Sequence, residues 1–468
     1  MSENFNDQAA EDAHVKWRVY SPQAWIQHAL FIAAATATGG VAWLFWFSEE
    51  WGNRWFDFLR DVKYSTEDVW FVPAPAINVI VPMVTITFSM LLILQLRIRL
   101  FPGTEGTGIP QAIAALKTED GPIRKRMLSW RIAIGKTLLL LLGLFTGMTI
   151  GREGPSVHVG ACFMYLITKI TRFPQHLVQR GLILGGGGAG IAAAFNAPVA
   201  GAIFALEEIG RSFEKNNIGT IIRTVLLACL VVILVRGTDY LFYGHVRMSA
   251  EDWPLIQWLS IPMIGCIGGL LGGLFSRCVV STTRVINPLL KRHRVLVPLG
   301  LGATLAVIGL ISGGESYGSG YMQADSILME GTEYPWHYAP MKALANYVCL
   351  VSGIPGGLFD PSLSVGAGIG QTFQPLMIFL FPELEPTAVV MLFMVAYFSG
   401  VVQSPITCAV IMVEMTAARF MTIPLLAVAI IAYECSHRIC RTAIYEALAD
   451  IFLGGIREEE NKQRATTS

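Results

Sequence analysis

Pro155-Ser-Val-His-Val-Gly-Ala161 returns later in the same chain as Pro361-Ser-Leu-Ser-Val-Gly-Ala367, a shift of 206 residues (361 − 155). Working outward, Asn196-Ala-Pro-Val-Ala-Gly-Ala-Ile-Phe-Ala-Leu-Glu207 lines up with Gln403-Ser-Pro-Ile-Thr-Cys-Ala-Val-Ile-Met-Val-Glu414 at a shift of 207 (405 − 198). A weaker pair, Gly106-Thr-Gly108 and Gly318-Ser-Gly320, falls in the same order at a shift of 212 (318 − 106). Three ordered landmarks at nearly constant offset point to two duplicated halves, about 76–212 and about 254–417. Paired halves with Gly/Pro-interrupted apolar segments are the sequence sign of a site built at a repeat interface in the membrane. Whether the halves run parallel or inverted depends on the parity of crossings, which the residues alone leave open.

The 468 residues are 53% hydrophobic and 15% charged, which excludes an ordinary soluble enzyme of this size. A bilayer span needs roughly 20 apolar residues. Such stretches occur at about 24–48, 76–96, 132–150, 221–243, 254–275, 295–312 and 387–402, while 155–170, 179–195, 198–209 and 361–381 are apolar but broken by Gly and Pro. The second group is expected to include segments that enter the membrane without crossing it. Net charge is zero, with 34 basic and 34 acidic residues, and no basic stripe interleaved with aromatics suggests nucleic acid. Six of the eight cysteines, Cys162, Cys229, Cys266, Cys278, Cys349 and Cys408, lie in apolar runs without metal-binding spacing and read as buried free thiols, with no metal site.

Lys117, Arg124, Lys125, Arg126 and Arg131 form the richest basic cluster, and with Lys16 and Arg18 they are expected on the cytoplasmic side. Residues 1–20 are then a cytoplasmic segment and 49–72 lie outside. From Arg131, about twenty helical residues at roughly 1.5 Å each climb most of the bilayer, placing Glu153 on the outer side of the midplane.

Gly106-Thr-Gly-Ile-Pro110, Gly151-Arg-Glu-Gly-Pro155, Gly357-Leu-Phe-Asp-Pro361 and Asn196-Ala-Pro198 each interrupt apolar sequence. Proline is tolerated in the first turn of a helix, and glycine lets the preceding backbone turn sharply. Each stretch therefore reads as a helix start at membrane depth, where irregular backbone survives only when buried or lining a cavity. Helix starts carry N–H groups without intrahelical acceptors and about +0.5 charge, so several converging on one point make an anion site without a full cation. Partial charges also let the anion leave again. The plainer alternative is that these glycines only allow close helix packing.

Glu153 stands inside one of these helix starts, and an ionisable residue in a span costs at least about 2.5–3.5 kcal/mol and usually marks an ion or proton path. Arg152 offers a plainer reading, a local ion pair. At a helix start the Glu153 carboxylate would meet the same N–H groups as a permeant anion. Protonation would then remove the competitor and link proton uptake to anion passage.

GTGIP, GREGP and GLFDP, with the late Tyr445, resemble the signature stretches of the CLC family of anion channels and anion/proton antiporters, over about 106–445. The resemblance implies an all-α polytopic membrane protein with two inverted-topology repeats of tilted, partly re-entrant helices in a single transmembrane domain at 21–453. It implies an ion-path helix at about 440–453, a cytoplasmic tail at 454–468, and a homodimer in the cell (inner) membrane lipid bilayer. Glu153 would be the external gate and Glu208 the inner proton-transfer carboxylate, whose presence favours exchange. Gly106, Thr107, Arg152, Leu358, Phe359 and Tyr445 would form the anion-binding set. The expected function is exchange of chloride, or a similar monovalent anion, for protons. The alternatives are a passive chloride channel and a fluoride- or nitrate-preferring exchanger. Thr107 departs from the serine usual in chloride-handling members, keeping the hydroxyl but adding a methyl that bears on anion choice. No cofactor beyond bound chloride and no nucleotide partner is expected, nor a fused nucleotide-binding CBS domain, with about fifteen residues after the last helix.

Gly185-Gly-Gly-Gly-Ala-Gly190 fits GxGxxG but lacks a βαβ setting, so helix packing is its expected role. His158 is expected to bond a backbone carbonyl and Glu414 to brace a helix. No HExxH occurs, an intramembrane hydrolase is not expected, and the protein is expected not to be an enzyme.

Overall fold

The computed structural model describes residues 22–61, 74–170, 176–211, 215–246 and 255–467. The first half runs α1 (Pro22–Asp61), α2 (Ala74–Arg99), α3 (Ile109–Lys117), α4 (Gly121–Met127), α5 (Trp130–Phe145), α6 (Glu153–Ile170), α7 (His176–Phe195), α8 (Pro198–Phe204, extended by a π-helical turn to Gly210) and α9 (Lys215–Arg236). The second runs α10 (Leu255–Trp258), α11 (Ser260–Arg292), α12 (Leu296–Ile311), α13 (Tyr321–Asp325, extended by a π-helical turn to Glu330), α14 (Tyr338–Ser352), α15 (Phe359–Leu380), α16 (Pro386–Val402), α17 (Pro405–Thr416), α18 (Thr422–Ile439) and the closing α19 (Ile444–Thr467). Among the described residues, seven stretches are long and apolar enough to cross a membrane, and their outward faces carry bare apolar side chains such as Leu234 and Phe379. The chain is an all-α integral membrane protein.

The two halves are inverted repeats, and hydrogen bonds between equivalent residues mark the axis that relates them. Gly151 N–H donates to the Gly357 carbonyl at 2.9 Å and Gly357 N–H donates to the Gly151 carbonyl at 2.6 Å, an antiparallel bridge between residues 206 apart (357 − 151). An antiparallel pair of this kind is its own image under a two-fold rotation. The relation extends outward. Gly106 N–H donates to Gly353 O at 3.0 Å, and Gly318 N–H donates to Gly147 O at 3.2 Å. Glu207 accepts from the Ile406 and Thr407 amides at 3.1 and 2.7 Å, capping α17, while Glu414 accepts from the Val199 and Ala200 amides at 3.2 and 2.7 Å, capping α8. Each half thus caps a helix of the other, and Glu414 braces as expected.

A further repeated device has no counterpart in the sequence reading. Lys136 Nζ donates to the carbonyls of Thr104, Glu105 and Gly106 at 2.9, 3.3 and 2.5 Å. Lys342, 206 residues on (342 − 136), donates to Ser316, Tyr317 and Gly318 at 3.2, 3.0 and 3.0 Å. Both lysines are fully buried, and three ammonium N–H groups meet three carbonyls that the turns before α3 and α13 leave without helical donors. Gly106 and Gly318, at φ 56° and 66°, and Gly108 and Gly320, at φ 94° and 90°, make those turns in the left-handed region that glycine adopts freely.

The glycine run 185–190 packs helices, as expected. Gly186 meets Gly160 backbone to backbone between α7 and α6, and a Cβ on Gly188 would lie 2.6 Å from the Gly201 carbonyl.

Four expectations need correction. α18 is apolar and long enough to span, yet it was not among the expected spans; Glu434, His437 and Arg438 near its end dilute its signal. Glu49, expected outside, is buried within α1, held there by Arg152. The tail expected after 453 is part of one helix, since α19 runs on to Thr467. Cys266 and Cys278 are exposed rather than buried, although all eight thiols are free. The expectations for residues 1–20 and 62–72 lie outside the described residues.

Candidate functional site at the repeat interface

α6 and α15 both begin at the Gly151–Gly357 bridge, so two helix starts meet in the protein interior, Glu153 and Phe359 each fully buried in a first turn. Glu153 folds back over its own helix start: Oε1 accepts the Arg152 amide at 3.2 Å, while Oε2 has no donor. Its carboxylate fills the space over two glycines. A Cβ on Gly357 would lie 2.6 Å from Oε2, and one on Gly151 would collide with the same oxygen. The motif glycines therefore hold open a cradle sized for a carboxylate or an anion at a helix N-terminus.

Gly154 makes the next close approach, since a Cβ there would lie 2.7 Å from the Thr107 carbonyl and 2.9 Å from the Thr107 Cβ. That contact sets the turn before α3 directly against the start of α6. Thr107 Oγ1 is buried without a partner, and so is Tyr445 Oη at the start of α19. A buried hydroxyl left unpaired costs about 1–3 kcal/mol, so both hydroxyls suit a ligand that accepts hydrogen bonds. The Tyr445 ring stacks on Phe359 at 6.4 Å and 18°, and Glu153 and Glu208 are both among its charged neighbours. Tyr445 thus lies near both acidic residues.

α19 is held in place by ion pairs. Lys117 reaches Glu446 at 3.1 Å and Asp450 at 2.8 Å, and Arg211 also pairs with Glu446. Beneath this latch lies a cavity of about 300 Å³, lined by Glu208, Arg211, Ser404, His437 and Glu446 among others. Glu208 is buried, accepts a short hydrogen bond from Ser404 Oγ, and lies 3.9 Å from Arg211. It points inward, while its neighbour Glu207 caps α17. A second, larger cavity of about 1620 Å³ reaches Gly106 and Thr107. Seven basic residues line it against four acidic ones, which favours anion entry.

Two predicted site residues take different parts from those expected. Arg152 does not pair locally with Glu153 through its guanidinium: it reaches across to Glu49 at 3.0 Å and lies over the Phe242 ring at 5.4 Å, leaving its backbone amide to Glu153. The Gly106 amide is taken by Gly353, so of the two motif residues Thr107 keeps a free polar group. His158 bonds the Met127 carbonyl at 2.8 Å, as expected. Sequence reasoning missed Asp360, which is fully buried with both carboxylate oxygens unpartnered beside Glu153. The signal was present in GLFDP, since a carboxylate in an apolar helix start is as costly there as in GREGP.

The sequence pattern of the family described as Voltage gated chloride channel matches residues 87–437. The H(+)/Cl(-) exchange transporter ClcA of Vibrio vulnificus (strain YJ016) is 29% identical over 370 residues, covering 75% of each chain. The ClcA of Vibrio cholerae serotype O1 (strain M66-2) is 29% identical over 356 residues and 70% of each. Among solved structures, a slow cyanobacterial Cl-/H+ antiporter superposes with a TM-score of 0.79 at 22% identity, over 93% of this chain and 99% of that one. A CLC-type fluoride/proton antiporter does so with a TM-score of 0.72 at 18% identity, over 91% and 98%. At those identities the solved structures speak for the fold, and the family match covers most of the sequence together with both halves of the site. The chain belongs to the voltage gated chloride channel family.

Proposed function

We propose that this protein exchanges chloride, or a closely similar monovalent anion, for protons across a membrane. The observation that carries the reading is the Glu153 carboxylate, seated on a helix-start amide in a cradle of two glycines. A permeant anion would need the same place. Deprotonated Glu153 excludes it, and protonated Glu153 loses its charge and gives way, so each passage of the anion depends on the gate's proton. Glu208, buried and lining its own cavity with Tyr445 near both it and Glu153, is suited to deliver protons from the opposite side. The anion would be held by helix-start N–H groups around Leu358 and Phe359 and by the Thr107 and Tyr445 hydroxyls, with no other cofactor. The relatives named as H(+)/Cl(-) exchange transporters support the same pairing of substrates. The working unit is a homodimer with one pathway per subunit, in the cell (inner) membrane. The basic face around Lys125, Arg126 and Arg131 is cytoplasmic.

The test uses purified protein in liposomes loaded with chloride, with chloride efflux and external pH recorded together while valinomycin fixes the membrane potential. A chloride gradient that drives protons uphill is the expected result. Chloride flow without any pH response would make the protein a passive channel on this fold.

A further inference from the structure

The geometry points to Asp360 as a second proton-carrying carboxyl of the gate, sharing one proton with Glu153. Asp360 is fully buried in the first turn of α15, and neither of its oxygens has a donor. Its carboxyl neighbours the Glu153 carboxyl, whose Oε2 also has no donor. Ionised carboxylates only accept, so this pair can bond only when one of the two holds a proton. The pattern is that of like charges sharing a site, which cannot both ionise at modest cost.

The charged and titratable groups around the pair support the count of one proton. Glu49 on α1 faces Asp360, but it is paired with Arg152 at 3.0 Å. Arg152, at the start of α6, is the nearest cation to both carboxyls and is already matched by Glu49. Lys342 on α14 also faces Asp360, with its ammonium directed to three carbonyls at 3.0–3.2 Å. Tyr243 from the segment after α9, Tyr321 on α13 and Tyr445 on α19 also face the pair, with Asp325 beyond them, and none of these supplies a cation. Three carboxyls thus face two cations, and a shared proton removes the excess negative charge. The transfer balances within the pair: the Asp360 O–H breaks as the Glu153 O–H forms, and Asp360 is left ionised until another proton enters.

This inference rests on the exchange reading of Glu153. Its first test is the pH dependence of chloride flux in liposomes for wild type and Asp360→Asn. With the neighbouring negative charge removed, the flux midpoint should move to lower pH by about one unit or more. Asp360→Ala, shorter and also neutral, should give the same direction, and it replaces Asn if that variant does not fold. An unmoved midpoint in a monodisperse variant overturns the proposal. The second test is infrared difference spectroscopy across a pH titration. Glu153→Gln should keep a protonated-carboxyl band that Glu153→Gln/Asp360→Asn lacks, and matching spectra would mean that Asp360 never takes a proton. Failure of the underlying reading looks different: Glu153→Gln protein that still couples protons sinks the gate itself, whatever Asp360 does.

Discussion

Residues 151–155 and 357–361 share one antiparallel bridge and each start a helix, yet the first carries Arg152, Glu153 and Gly154 where the second carries Leu358, Phe359 and Asp360. Every device that shapes backbone is present twice: the bridging glycines, the lysine over three carbonyls, and the glutamate that caps the opposite half. The acidic residues proposed to carry protons, Glu153, Glu208 and Asp360, have no acidic repeat mate. Phe359, the repeat mate of Glu153, packs on Phe398 at 4.7 Å and stacks on Tyr445, making one wall of the site apolar. Scaffold needs symmetry because each half completes the other, whereas a directional pathway needs the two sides of its gate to differ.

The largest break of this asymmetry is Glu153→Gln. It should abolish proton movement while anion flux continues, because the neutral amide no longer competes as an anion or carries a proton; paired chloride and pH recordings in liposomes check it. Next come the doubled lysines. Lys136→Met and Lys342→Met each remove a buried donor shared by three carbonyls, some of which keep a second donor, and should each lower stability by about 2 kcal/mol or more. Thermal unfolding in detergent measures this, and near-equal losses are expected if the halves are structurally equivalent. Smaller are Glu207→Gln and Glu414→Gln, which neutralise a helix cap in either half and should cost about 1 kcal/mol each by the same assay. A much larger loss for one would show that the caps are not equivalent. Smallest is Thr107→Ser, which keeps the hydroxyl and removes a methyl. Transport should persist with at most a changed anion preference, read from chloride, nitrate and fluoride fluxes.

The duplication was legible because its landmarks are glycines and prolines, whose backbone roles tolerate little substitution, and their constant offset survived divergence of the side chains around them. The gate was legible because an acidic residue at a helix start within apolar sequence is conspicuous. Lys136 and Lys342 were legible in principle, since they obey the same 206-residue offset, but a lone lysine in an apolar run gives no sign of three waiting carbonyls. Glu49 could not be placed from sequence, because its partner Arg152 lies about a hundred residues away and only the folded chain brings them to 3.0 Å. α18 was lost for a different reason: its polar end hid an apolar body that is obvious once its mate α9 is recognised as a span.

The bridge between Gly151 and Gly357 has a historical reading as well. A residue bonded to its own repeat mate, donor to acceptor in both directions, is what two copies of a half-length chain would form about a two-fold axis. Such a pair of short chains would already own the glycine bridge, the crossed glutamate caps and the turn-to-turn amide bonds, since each arises from one half meeting another like it. Joining the copies into one gene adds no contact at the axis. What it adds is the freedom for position 153 to become an acid while position 359 becomes a phenylalanine, which identical subunits could never do.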